Sequence, residues 1–432
     1  MGLIAFLKRL FLGAPPQPEP APFPDRSSTP SPGPVSPPVR TSRRFRGALP
    51  LRYSPTRRPP RFGPTSDVAP YRFARCTEAG GSEFVDLTRD HDPARLDSFG
   101  LPAFRTQEEL ARWLGVPLGQ LGWLAGRFFE NQRPQSEAEA HYHFHWVSKK
   151  TGGYRLIEAP KPLLKQVQTQ ILRGILDKVP AHTNAHGFVQ GRSILSNALP
   201  HVGQAWVLKL DLQNFYPSVS HSRVVAIFRA LGYCREISLW LGRLTTSAIP
   251  SNLTSPDSRM ATVWGYRNRH LPQGAPTSPA LANLSAFGLD VRLSAMASQY
   301  DVRYTRYADD MTFSGKGRSI PALREIIPFA RQIVSAERFT INRPKQRVLR
   351  RHQQQNVTGL VVNQKLSLSR SDFDTLKAIL TNCIHQGPAS QNRDGHENFA
   401  SHLRGRIGHW LSVNPSRGQK LLMLFQKINW SR

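Results

Sequence analysis

Apolar residues recur along this chain at two spacings, and the change from one to the other marks its elements. Thr106 to Glu109 has the T-x-x-E form of a capping box, and Leu110, Trp113 and Leu114 follow at helical spacing. Gly115 and Pro117 interrupt that run before Leu118, Leu121, Trp123 and Leu124 resume it, which predicts two short helices. At Trp206 to Leu212 the period becomes two. In WVLKLDL the side chains of Leu208, Leu210 and Leu212 share one face and those of Lys209 and Asp211 the other, so an acid stands near the end of a buried strand. Ser220 then caps a helix through Val224, Val225, Ile227, Phe228 and Leu231, which Gly232 ends. Ser278 and Pro279 predict a cap with proline in the first helical position, and the helix runs on through Leu281, Leu284, Phe287 and Leu289. Val302 to Gly315, VRYTRYADDMTFSG, reads as two short strands meeting at Ala308 and Asp309. Two later helices carry Phe373, Leu376 and Leu380 on one and Leu403, Ile407, Trp410 and Leu411 on the other.

The pattern fails over residues 14–65, which hold 16 of the chain's 36 prolines and eight arginines from Arg40 to Arg61. Proline removes backbone donors and the apolar residues are too sparse to offset ordering entropy, so residues 1–65 are expected to be a disordered, basic arm. Ahead of the prolines, Leu3, Ile4, Phe6, Leu7, Leu10 and Phe11 suit a transient amphipathic helix; Lys8 and Arg9 interrupt it and speak against a secretory signal. The whole chain has 432 residues and a net charge of +29, of which +20 lies beyond the arm. A folded part so basic needs a polyanionic partner, with nucleic acid ahead of an anionic membrane surface. No apolar run approaches membrane-spanning length. Cys76, Cys234 and Cys383 are too far apart for a zinc ribbon or a disulfide framework and fit a reducing cytoplasm.

Candidate chemistry concentrates in the acids. Asp309 and Asp310 share a hairpin tip, where adjacent carboxylates repel unless a cation sits between them. Asp211, on another strand, completes a set of the kind that two-metal phosphoryl transfer requires, with ions about 3.5 to 4 Å apart. Between them lies LPQGAPTSPALANL, which puts Gln273 and Gly274 on a tight turn ahead of a helix.

Asp211 with FYPSV after it, LPQGAPTSPALANL and YADD resemble, in that order, three palm motifs of reverse transcriptases. Lys149, Lys150, Gly152, Gly153, Tyr154 and Arg155 in KKTGGYRLIEAPK resemble the fingers motif, and Lys345 in INRPKQRV the lysine of a fourth palm motif. Asn197, Ala198 and His201 in NALPH, preceded by HGFVQGRSI, and Val357, Thr358 and Gly359 resemble elements of the bacterial retron type. The resemblance covers roughly residues 105–432 and leaves the arm unexplained.

It implies an α+β right-hand polymerase: an N-terminal helical region over residues 66–140, fingers and antiparallel palm over 141–363, and a helical thumb over 364–432, with no RNase H or endonuclease part. It further implies that Asp211, Asp309 and Asp310 hold two Mg²⁺ ions and that Lys150 and Arg155 neutralise the triphosphate of a deoxynucleotide. Gln273 and Gly274 would bound the nucleotide pocket, Tyr216 would stand against a ribose 2′-hydroxyl, and Lys345 would serve as general acid for pyrophosphate. Asn197, His201 and Val357 to Gly359 would serve RNA recognition, and Arg404, Arg406 and Lys420 would face nucleic acid. Partners implied are a cognate structured non-coding RNA as template and primer, the RNA–DNA hybrid product and an effector protein in phage defence. The product would be single-stranded DNA joined to RNA through an internal 2′-hydroxyl. A group II intron enzyme is the nearest alternative, and a non-catalytic basic RNA-binding scaffold the alternative from another class.

Overall fold

The computed structural model describes residues 87–88, 90–126, 133–149, 152–257, 263, 265–317 and 322–430. The arm expected over residues 1–65, the apolar segment at its start and Lys150 lie outside them.

In chain order, α1 (Pro93–Ser98), α2 (Gln107–Leu114) and α3 (Leu118–Leu124) precede the strands β1 (Tyr142–Ser148) and β2 (Tyr154–Pro160). Then come α4 (Pro162–Gly174), α5 (Ile194–Ala198), β3 (Trp206–Asp211), α6 (His221–Ala230) and α7 (Arg235–Thr245). After these the chain forms α8 (Ser278–Ser285), α9 (Phe287–Gln299), β4 (Arg303–Tyr307), β5 (Asp310–Gly315) and α10 (Leu323–Ala336). Short strands β6 (Arg347–Arg350), β7 (Asn356–Val357) and β8 (Leu360–Val361) lead to α11 (Arg370–Gln386), α12 (Phe399–Val413) and α13 (Pro415–Phe425).

The chain divides into two compact units, one of which joins the residues up to Arg133 with Val225–Leu244. The helical pattern read from Thr106 onward is observed there. Thr106 accepts from the Glu109 N–H while the Glu109 side chain reaches back to the Thr106 N–H, and Gly115, at φ 68°, closes α2. Phe104 stacks on Tyr233 with ring centroids 5.2 Å apart, and the buried Tyr233 hydroxyl donates to the Pro102 carbonyl. Val225–Leu244, whose apolar residues complete this core, belong to the same unit.

The other unit, Pro134–Val224 with Thr245–Arg432, holds every strand among the described residues. Its central sheet is antiparallel in the order β4-β5-β3-β6. Leu208, Leu210, Met311 and Phe313 are fully buried in it, because both faces of β3 and β5 are covered and the simple alternation read from sequence gives way to near-continuous burial. β1 and β2 form a separate hairpin. Leu376, Leu380, Leu403, Ile407, Trp410 and Leu421 make a distinct core for the last three helices.

Two local expectations are corrected. Ser278 is the first residue of α8, not its cap: Thr277 precedes it in a helical conformation without capping, and the Ser278 hydroxyl is buried with no partner among the described residues. The helix expected to pass through Phe287 is two helices, parted at Ala286.

Candidate active site

Antiparallel pairing of β3 with β5 sets Asp211 directly opposite Asp310, and Asp309 occupies the turn between β4 and β5. The Asp309 carbonyl accepts from the Leu212 N–H at 2.9 Å, and the Asp211 carbonyl from the Asn342 N–H at 2.8 Å. Asp211 thus converges by sheet register with two aspartates nearly a hundred positions further along the chain.

The turn itself is strained. Ala308 has φ 55°, a left-handed conformation that costs an ordinary residue about 1 to 2 kcal/mol. Arg306, fully buried, holds it: one Nη1 donates to the Ala308 carbonyl at 2.9 Å and to Asn283 Oδ1 at 3.0 Å. The same guanidinium donates from Nε and Nη2 to the buried Asp290 carboxylate at 2.8 and 2.6 Å. From the other side Gly187 packs so closely that a Cβ there would lie 2.6 Å from the Ala308 nitrogen. Sequence reasoning missed Arg306, Asp290 and Asn283; in the alternation of VRYTRYADD, Arg306 reads as an ordinary strand position, and only its pairing with α9 reveals its part.

Burial, followed by the charges of Asp310 and Asp211, pushes the Asp309 carboxyl up to about 6. Burial also raises Asp310, reinforced by Asp211 and opposed by Lys209 and Lys345. Lys345 Nζ donates to Asp211 Oδ1 at 2.8 Å, and although burial works against its charge, that bond and the three carboxylates raise it. Among the described residues, no three His, Cys, Asp or Glu side chains are gathered tightly enough to enclose an ion as they stand. The chemistry of the three aspartates nevertheless fits a hard divalent cation, since all donors are carboxylate oxygens and two of them resist ionising beside their neighbours.

Asp211, Asp309 and Lys345 line a cleft of about 760 Å³. Lys149 and Arg155 line it from the β1–β2 hairpin, Phe215 and Tyr216 from the segment after β3, and Gln273 from the turn before α8. Burial, then Arg155 and Lys345, lower the Lys149 ammonium, so this wall is rich enough in cations to want an anion. Lys149 lines this wall with Arg155, and Lys150, the lysine expected there, lies outside the described residues. Burial and the charge of Asp309 push the Tyr216 hydroxyl up to about 12. Phe215 packs more deeply, its ring 5.8 Å from that of Phe339. Gly274 has φ 132° and approaches the Glu158 carbonyl so nearly that a Cβ would stand 3.0 Å from it, which explains glycine after Gln273.

The structure brings together the two elements read at Asn197–His201 and Val357–Gly359. Asn197 Nδ2 lies 3.5 Å from Thr358 Oγ1, and Thr358 donates to the Ile194 carbonyl. His201 is wholly buried between Ser314 and Thr305, at 2.6 and 2.8 Å, and burial lowers its pKa to about 3. Asn197, His201 and Val357 are each no more than 1% exposed, so their side chains offer no surface to a ligand; Gly359 is exposed at the turn beside Thr358. Arg404 on α12 is exposed and Arg406 half-buried.

Residues 147–362 match the family of reverse transcriptases, RNA-dependent DNA polymerases. Over 76% of its length the chain is 41% identical to the retron Mx65 reverse transcriptase of Myxococcus xanthus, spanning 73% of that protein. The chain belongs to the retron reverse transcriptases. It is also 34% identical to the retron Mx162 enzyme of Myxococcus xanthus, covering 77% of this chain and 69% of that one. With the retron Ec86 reverse transcriptase of Escherichia coli the identity is 31%, covering 77% of this chain and 92% of that one. The retron reverse transcriptase described here is therefore an RNA-directed DNA polymerase, which sets aside the non-catalytic scaffold. Among its described residues no helix is long and apolar enough to cross a membrane.

Proposed function

We propose that this retron reverse transcriptase copies a structured non-coding RNA encoded beside it, starting from an internal 2′-hydroxyl, and that the branched RNA-linked DNA serves phage defence in the cytoplasm together with an effector. The observation that carries the catalytic part is the opposition of Asp211 to Asp310, with Asp309 at the turn, beside a cation-walled cleft. In this reading the β4-β5-β3-β6 sheet is the palm, the β1–β2 hairpin belongs to the fingers and α11 to α13 form the thumb. Asp211, Asp309 and Asp310 would hold two Mg²⁺ ions, which when bound lower the pKa of the priming hydroxyl and neutralise the triphosphate.

The chain's own side chains do the rest. Lys149, Lys150 and Arg155 attract and orient the triphosphate, Arg155 being suited to bidentate phosphate contact. Gln273 and Gly274 bound the base and sugar, and Tyr216 closes the space beside C2′. The hydroxyl gives its proton to solvent and its oxygen bonds to the α-phosphorus as the bond to pyrophosphate breaks, and the ammonium of Lys345 gives that leaving group its proton. On the RNA side, Thr358 and Gly359 form a turn that Asn197 touches at Thr358, His201 is buried between Thr305 and Ser314, and Arg404 and Arg406 add phosphate contacts. Correct placement of one internal hydroxyl, more than affinity, would make it competitive with ordinary 3′ ends.

Co-expression with the neighbouring RNA tests this reading. The product should be single-stranded DNA that a debranching enzyme releases from RNA, and Asn197→Ala and His201→Ala should impair self-primed synthesis more than extension of an annealed primer. A linear product throughout would remove the branched, self-primed part of the proposal.

A further inference from the structure

Outside the carboxylate cluster, the unit with the strands contains a second buried ionic pair that the catalytic roles leave unused. His270 Nε2 lies 2.9 Å from Glu158 Oε2, with the two side chains 1% and 0% exposed. The other ring nitrogen, Nδ1, is 2.7 Å from the Asn268 carbonyl. Glu158 Oε1 has no hydrogen-bond partner among the described residues, and Oε2 is held by His270. Removing a charge from water is costly, and a pair of this kind is weak evidence for added stability. Its position suggests another use.

Glu158 sits in the middle of β2, opposite Phe144. Its backbone N–H donates to the Gln273 carbonyl at 2.9 Å, and its own carbonyl is the atom that a Cβ on Gly274 would meet. The same residue therefore holds the start of the turn by its side chain, at His270, and the end of it by its backbone, at Gln273 and Gly274. His270 is anchored on the far side by paired backbone bonds with Ser247, 2.8 and 3.0 Å, and Leu271 by the Val219 carbonyl. Tyr266, which lines the cleft, packs edge-on against the His270 ring at 5.4 Å and against Trp146 of β1 at 5.9 Å.

We infer that Glu158 and His270 are positioning residues, an ionic clasp that fixes the His270–Gly274 turn to β2 and so sets the distance between Gln273 and the Lys149–Arg155 wall of the nucleotide cleft. The clasp acts on substrate binding and not on the reacting atoms. It rests on the reading of the cleft as the deoxynucleotide site.

Protonation should govern it. Burial alone would lower the His270 pKa, but the Glu158 charge and hydrogen bond, aided by the Asn268 carbonyl, outweigh burial and raise it. The other ionisable groups facing the pair are Tyr142 on β1, whose hydroxyl accepts from Gln168, and Tyr266 and Arg269 on the preceding loop, with Arg269 donating to the Thr246 carbonyl. Since the folded-state pKa is raised, the ionic form holds below it and is lost as pH rises through it, above the ordinary histidine value of about 6.5.

The test is steady-state extension of an annealed DNA primer on an RNA template by the full chain, with deoxynucleotide KM and kcat measured from pH 6.5 to 9. The parent enzyme's KM should rise toward alkaline pH. Glu158→Gln should raise KM roughly tenfold at pH 7, leave kcat within about twofold, and flatten the dependence of KM on pH, a scale set by sub-ångström misplacement of a binding wall. Because a single change strands one buried group, the double variant Glu158→Gln with His270→Gln supplies a neutral hydrogen-bonded pair; it should recover most of the KM at pH 7 without recovering the pH dependence. A parent KM that does not change with pH overturns the clasp, as does a folded Glu158→Gln enzyme with the parent's KM profile, or a loss confined to kcat. If neither variant folds, the parent's profile alone decides. Failure of the parent to extend any primer would count against the nucleotide-site reading instead.

Discussion

Lys345 Nζ stands 2.8 Å from Asp211 Oδ1, so the lysine proposed as a proton donor for pyrophosphate also supplies a positive charge to a carboxylate proposed as a metal ligand. The two tasks are separable. Lys345→Ala should lower kcat by about a hundredfold if general acid catalysis is lost. It should also reduce the divalent-ion concentration giving half-maximal activity, because the ammonium no longer competes for Asp211. Titration of Mg²⁺ against single-turnover rates checks both; a kcat loss accompanied by a higher metal requirement would contradict the competition.

Tyr216 and Phe215 both touch the cleft, but their rings, 5.6 Å apart, do different work. Tyr216→Ala should open space beside the sugar and reduce discrimination in kcat/KM between deoxy- and ribonucleotides by roughly 10- to 100-fold. Phe215 is 5% exposed and lies under the Arg306 guanidinium as well as beside Phe339, so Phe215→Ala should instead destabilise the fold by about 3 to 5 kcal/mol. Denaturant titration of both variants beside misincorporation assays would separate a gate from a core residue.

Asp290 and Arg306 are both wholly buried and paired. Asp290→Ala leaves the guanidinium uncompensated and should cost about 3 to 5 kcal/mol in unfolding free energy. Arg306→Lys keeps the charge but cannot reach Asp290, Asn283 and the Ala308 carbonyl together, so kcat should fall further than stability does. Equal retention of kcat in a folded Arg306→Lys enzyme would mean that the turn at Ala308 holds itself.

Burial lowers His201 to about 3, and burial with Arg192 lowers His186 to about 4. Histidines that stay neutral in the folded state but protonate when unfolded make stability fall as pH drops from about 6.5 toward those values. The denaturation midpoint should therefore decline over that window with an uptake of up to roughly two protons from this pair. His201→Gln, which can still bond Ser314 and Thr305, should show a shallower decline. An unchanged slope would mean that His201 is not neutral in the folded protein.

Much of this was legible in the residues. Period-two alternation gave β3 and the β4–β5 hairpin, and the T-x-x-E cap and Gly115 gave both ends of α2, because those signals depend on neighbours a few positions apart. The order of Asp211, Gln273 and Asp309–Asp310 pointed to residues that the fold brings to, or beside, one cleft. What could not be read is the set of polar pairings made across the fold. Nothing periodic links Glu158 to His270, Arg306 to Asp290, or Asn197 to Thr358, since each partner sits on a different element. For the same reason Asn197 and His201 read as contacts for RNA, although the fold buries Asn197 against Thr358 and His201 between Thr305 and Ser314. The break at Ala286 escaped because alanine carries no signal for ending a helix.

The most direct test of the catalytic assignment is templated extension of a DNA primer on RNA by the variant carrying Asp309→Asn and Asp310→Asn, with RNA binding measured on the same preparation. Both side chains are partly exposed at a turn held by Arg306, so the fold should survive. Synthesis should disappear while RNA affinity stays within about twofold of the parent, as expected when a group acting only in the transition state is removed. Full incorporation in Mg²⁺ buffer would contradict the account.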